Sequence, residues 1–151
     1  MANSLTVERR ISNIGKGRIK YIEVIKLSFV TAGDGSFDQT LANIEIRGFV
    51  HKVMYYSGTV MTSGADITIA EVADSSGFIQ ANTRDPLVSG LINIPGSTGQ
   101  HHFVPLLDQA GVYSGGGAQK VLCDGFYQLR ITSNSVADVA GIVYIYVGDE
   151  A

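Results

Sequence analysis

The sequence predicts an all-β fold, an antiparallel β-sandwich or jelly-roll-like barrel carrying an extended basic N-terminal arm. Three observations point that way. Outside the arm, no window of about 11 residues keeps the 3.6-residue apolar period of an amphipathic helix. Instead, roughly six to ten short runs of β-branched and aromatic residues alternate with turn clusters about 8–14 residues apart, the rhythm of sandwiches and barrels. Eighteen glycines in 151 residues fit many tight turns, because glycine takes positive φ without a steric penalty.

The first strand is expected within residues 18–31. It places Tyr21, Glu23, Ile25, Leu27 and Phe29 on one face, with the core beginning near Ile25, and Ile22, Val24, Lys26 and Ser28 on the other. Ala32-Gly33-Asp34-Gly35-Ser36 turns the chain, and extended runs follow at residues 41–46 and 48–57, the second read as a central strand. After Thr62-Ser63-Gly64-Ala65, residues 66–72 form a strand with Ile67 and Ile69 on one side. Residues 78–105 contain Pro86, Pro95 and Pro105 and only short apolar pieces; proline lacks a ladder donor, so loops with edge strands are expected. Residues 126–132 alternate with Tyr127, Leu129 and Ile131 inward. Residues 141–147 do so with Val143, Ile145 and Val147 inward and Tyr144 and Tyr146 outward. The polar Thr132-Ser133-Asn134-Ser135 between them predicts a hairpin.

The length suits one packed body, and 45% hydrophobic with 17% charged residues excludes a disordered chain. The net charge of −3 conceals an asymmetry. Residues 1–20 carry Arg9, Arg10, Lys16, Arg18 and Lys20 against Glu8, a net +4, while residues 21–151 carry six bases and thirteen acids, a net −7. Residues 1–20 therefore read as a basic arm on an acidic β-sandwich body, residues 21–151, and those five cations are the candidate partner-binding residues. An acidic protein surface is the expected target. Direct nucleic-acid binding is disfavoured, because the arm lacks interleaved stacking aromatics and the body would repel phosphate.

The remaining chemistry is sparse. Cys123, the only cysteine, excludes an internal disulfide and reads as a small buried hydrophobe. Asp34, Ser36, Asp38 and Glu45 follow calcium-loop spacing, but Gln39 stands where the sharp turn needs glycine and the flanks read as strands, so a polar β-turn is expected. His51, His101 and His102 are the only imidazoles, and His101 and His102 would point to opposite faces of a strand. Ser114-Gly115-Gly116-Gly117 lacks the lysine and helix of a phosphate loop, and no Gly-x-Ser-x-Gly elbow occurs. No enzyme activity, metal or cofactor is expected. Tyr113 and Phe103 would be the candidates for stacking on a sugar. No apolar run approaches the ~18 residues of a membrane span, and the N-terminus lacks the apolar core of a secretory signal.

The order of motifs resembles the small β-sandwich decoration, or cement, proteins of tailed bacteriophages. The resemblance is carried by Ile25-Lys26-Leu27-Ser28-Phe29 before Gly33-Asp34-Gly35, by Ile46-Arg47-Gly48-Phe49-Val50, and by Asp66-Ile67-Thr68-Ile69-Ala70-Glu71. Asp124-Gly125-Phe126-Tyr127-Gln128-Leu129-Arg130-Ile131 and Gly141-Ile142-Val143-Tyr144-Ile145-Tyr146-Val147-Gly148 complete it, so it spans most of residues 25–148. The basic extension is longer than such proteins usually carry, and their tryptophan-containing segment is absent. The resemblance implies a virion protein synthesised in the host cytoplasm, bound to the major capsid protein on the outside of the head shell. It also implies homotrimers at local threefold positions that stabilise capsomer contacts, with no active site. The alternatives from other classes are a head-fibre or receptor-binding module recognising host glycans, and a tail or head-completion protein.

Overall fold

The computed structural model describes residues 3–13, 21–38, 44–62, 64–72, 99–103, 106–107 and 119–149. Among them there are eight strands and no helix: β1 (Ser4–Asn13), β2 (Tyr21–Val30), β3 (Ile44–Ser57), β4 (Asp66–Glu71), β5 (Gly99–Phe103), β6 (Leu106–Leu107), β7 (Gln119–Thr132) and β8 (Ala140–Gly148). All pairings are antiparallel, in the order β1-β2-β8-β3-β7-β4, with β5 added to β3 and β6 to β7. The described residues are thus all-β and sandwich-like.

The sheet passes from one layer to the other through β3. Its first half pairs with β7 from Ile44 to Val50, and its second half pairs with β8 from Phe49 to Ser57. One layer is therefore β1-β2-β8 with the end of β3 and β5, and the other is the start of β3 with β7 and β4. The bend falls where β3 crosses the end of β8. Gly48 has φ +130°, and a Cβ there would sit 2.6 Å from the Gly148 carbonyl oxygen, so only glycine permits the crossing. Two residues later the β3–β8 register shifts between Val50 and Lys52, which makes His51 the extra residue of a bulge. Inward residues accordingly change parity, from Ile44, Ile46 and Val50 to Val53 and Tyr55. The runs read separately at 41–46 and 48–57 are, from Ile44 onward, one strand.

The two inner faces bury one cluster. Ile25, Leu27 and Phe29 of β2 and Val143, Ile145 and Val147 of β8 meet Ile67 and Ile69 of β4 and Cys123, Tyr127, Leu129 and Ile131 of β7. These are the inward sets that period-2 alternation predicts. Phe29 stacks on Tyr55 at 6.4 Å and takes Phe37 edge-on at 5.8 Å, an arrangement that suits the ring quadrupoles.

The expected hairpin between the last two strands does not form. β7 and β8 are separated in the sheet by β3, and residues 133–139 arch from one layer to the other. The arch is held by side chains. Asn134 Nδ2 donates to the carbonyls of Gly35 and Val136, and its Oδ1 accepts from the amides of Thr62 and Val136. Thr31 Oγ1 accepts from the Val139 amide, and Val139 is fully buried. Ser133 and Asp138, at φ 60° and 53°, turn the chain into and out of the arch. Three loops are thereby drawn together at one end of the body.

Candidate functional site

Of the five cations predicted to bind a partner, Arg9 and Arg10 lie among the described residues; Lys16, Arg18 and Lys20 lie outside them. Ser4–Asn13 is the edge strand of the larger layer, in register with β2 from Ser4↔Val30 to Asn13↔Tyr21. Over these ten residues the expected arm is part of the sheet. Alternating polar and apolar residues explain this: Leu5 and Val7 stand opposite Phe29 and Leu27 on the inner side, and Leu5 packs against the core.

Neighbouring positions on a strand face opposite ways, so Arg9 and Arg10 do different work. Arg9 turns toward the body. Its Nη1 donates to Glu23 Oε1 at 3.0 Å, and its Nη2 donates to the backbone carbonyl of Glu45, so it ties β1 to both layers. It shares an open notch of about 360 Å³ with Glu23, Glu45 and Arg47. Arg47 continues the ladder, donating from Nε to Glu45 Oε1 at 2.7 Å and from Nη1 to Asp124 Oδ1 across the β3–β7 register. These hydrogen bonds, Glu45 first and then Asp124, hold the Arg47 guanidinium above its ordinary range. From the sequence, Glu45 stood out only through the calcium-loop spacing, and Glu23, Arg47 and Asp124 did not stand out as site residues; the usable signal was Arg47 and Glu45 two apart on an alternating strand.

Arg10 faces the opposite side, the outer surface of the larger layer. Successive rows of the sheet place Arg10, Val24 and Tyr146 in line, then Glu8, Lys26, Tyr144 and Met54. Lys26 Nζ lies 3.8 Å from Glu8 Oε1, and Lys52 Nζ lies 4.6 Å from the centre of the Tyr146 ring, a cation–π contact. A shallow depression of about 270 Å³ is lined in part by Arg10, Val24, Lys26 and Tyr144. This face combines aromatic and aliphatic area with charged residues, Arg10, Lys26 and Lys52 together with Glu8. A surface of this composition is complementary to carboxylates and apolar side chains.

The other motifs resolve simply. Asp34 Oδ1 accepts from the amide of Ser36 at 3.0 Å and from its hydroxyl at 2.6 Å, which holds the Asp34 carboxyl below its usual range. Glu45, which stands at the last position of the calcium-loop spacing, is engaged with Arg47. Cys123 is fully buried, as expected of a small hydrophobe. His101 and His102 are consecutive on β5, opposite Tyr55 and Met54. Tyr113 lies outside the described residues, as does the side chain of Phe103.

No protein-family model, no curated protein and no solved structure matches this chain.

Proposed function

We propose that the protein is a non-catalytic structural component of a tailed-phage virion, bound to the major capsid protein on the outer face of the head shell, where it reinforces capsomer contacts. The observation that carries this reading is the outer face of the larger layer. There a patch of half-buried Val24, Tyr144, Tyr146 and Met54 lies among Arg10, Lys26 and Lys52, with Glu8 beside Lys26, on a two-layer body. A protein repeated over a shell needs such a body and a broad, mostly flat contact surface. The order of strand motifs along the chain supports the same reading. The basic charge of residues 1–20 suits an acidic shell surface, with Lys16, Arg18 and Lys20 as the cations that carry the contact and Arg10 on the adjoining margin.

Locating and counting the protein in intact particles tests the reading directly: stoichiometric coating of heads is expected, and absence from the head overturns it. Reversing Lys16, Arg18 and Lys20 to glutamate tests the charge argument without removing β1. Occupancy on heads is expected to fall at least tenfold at moderate salt; undiminished occupancy overturns the electrostatic contact. Glycan-array binding by the isolated protein, without head association, would favour the adhesive class instead.

A further inference from the structure

We propose that β1 is a self-complementary edge through which two copies of this chain join about a twofold axis, antiparallel β1 against β1, making one continuous sheet of their larger layers. Among the described residues β1 pairs with β2 alone, so one long side of a ten-residue strand offers its amides and carbonyls outward. The strand also carries exposed apolar side chains: Val7 is 37% and Ile11 64% exposed. Its sequence, Ser4-Leu5-Thr6-Val7-Glu8-Arg9-Arg10-Ile11-Ser12-Asn13, is what selects the partner.

Outward-pointing backbone groups alternate along a strand, so registers of β1 against its own copy step by two residues. Centred on Arg9, the register places each Glu8 opposite the other copy's Arg10 on the outer face. It also places each Val7 opposite the other copy's Ile11 on the inner face. Both pairs occur twice by symmetry. The neighbouring registers are penalised: one sets Glu8 against Glu8, the other Arg10 against Arg10. The two Arg9 residues at the centre are each already drawn toward their own Glu23 and Glu45 carbonyl, which lowers the cost of their approach. Val7 and Ile11, the exposed apolar residues of β1, are covered by the pairing.

This goes beyond the proposed virion role, and it predicts twofold association where the resemblance implies a threefold cluster. The test uses the full chain in solution, so its failure is separate from failure to coat heads. Sedimentation equilibrium is expected to show a concentration-dependent dimer. Glu8→Arg and Arg10→Glu each set like charges face to face and are expected to weaken dimerisation at least tenfold, with unchanged circular dichroism. An equimolar mixture of the two single variants is expected to restore a dimer containing one of each. The double variant E8R/R10E, which exchanges the charges, is expected to dimerise with itself. A monomer at all concentrations, a trimer, or a dimer insensitive to the single variants would overturn the proposal, as would failure of the mixture to reassociate.

Discussion

At Cys123, burial decides the chemistry. Removal from water pushes the thiol up from 9.0 to about 11, more than its hydrogen bond with Tyr127 lowers it, and burial pushes the Tyr127 hydroxyl up as well. The protonated forms are favoured in the folded chain, so the unfolded chain releases these protons first as pH rises. Stability is therefore expected to be flat with respect to Cys123 below about pH 8 and to fall between pH 9 and 11, by up to about 3 kcal/mol from this thiol. Urea midpoints measured across that range check the slope, and Cys123→Ala is expected to flatten part of it. The thiol is also expected to resist alkylating reagents until denaturant is added. Asn134 poses a different residue-scale case, because one amide serves three loops. Asn134→Ala removes two donated and two accepted backbone bonds and is expected to cost roughly 2–3 kcal/mol in chemical denaturation. Asn134→Asp, which sets a carboxylate oxygen against the Gly35 and Val136 carbonyls, is expected to be no better. That asparagine read only as a polar loop residue in the sequence, since its partners at Gly35 and Thr62 are brought to it by folding.

Among the elements, β3 does the most to shape the molecule. A strand that served only one layer would need neither Gly48 nor the extra residue at His51; β3 has both because it leaves one layer and enters the other. Gly48→Ala places a Cβ 2.6 Å from the Gly148 oxygen at φ +130° and is expected to destabilise by about 2–3 kcal/mol, read as a lower thermal midpoint. The alternation along β2, β4, β7 and β8 was legible in the sequence because period 2 is a local property of the strand: Ile25, Leu27 and Phe29 are inward whatever lies beside them. The parity change in β3 was hidden, because the apolar cluster Val50, Val53, Met54, Tyr55 and Tyr56 suits either phase. β1 was hidden for another reason. Its charges suggest solvent, while Leu5 against the core and Arg9 bonded to Glu23 make it a strand with one face on the body.

For the whole molecule, a single buried cluster spanning both layers predicts one unfolding event. Leu27→Ala in β2 and Ile69→Ala in β4 lie in different layers, and each is expected to cost about 2–5 kcal/mol while leaving a single transition. Tyrosine fluorescence and far-ultraviolet circular dichroism should give coincident curves; two separated transitions would mean that the layers unfold independently. The basic residues illustrate how far a site can be read without a fold. Charge counting found Arg9 and Arg10 together, yet the pleat sends one to Glu23 and the Glu45 carbonyl and the other to the outer face beside Glu8. The sequence by itself determined the fold class, the inward residues of most strands and the charge inventory, since each follows from short-range periodicity and composition. Only the tertiary structure decided that β3 separates β7 from β8, that β1 completes an edge, and that Arg9 and Arg47 spend their charge within the chain. Pairing partners are chosen by chain closure over long separations, where many strands of similar pattern compete, and no local pattern records which of them wins.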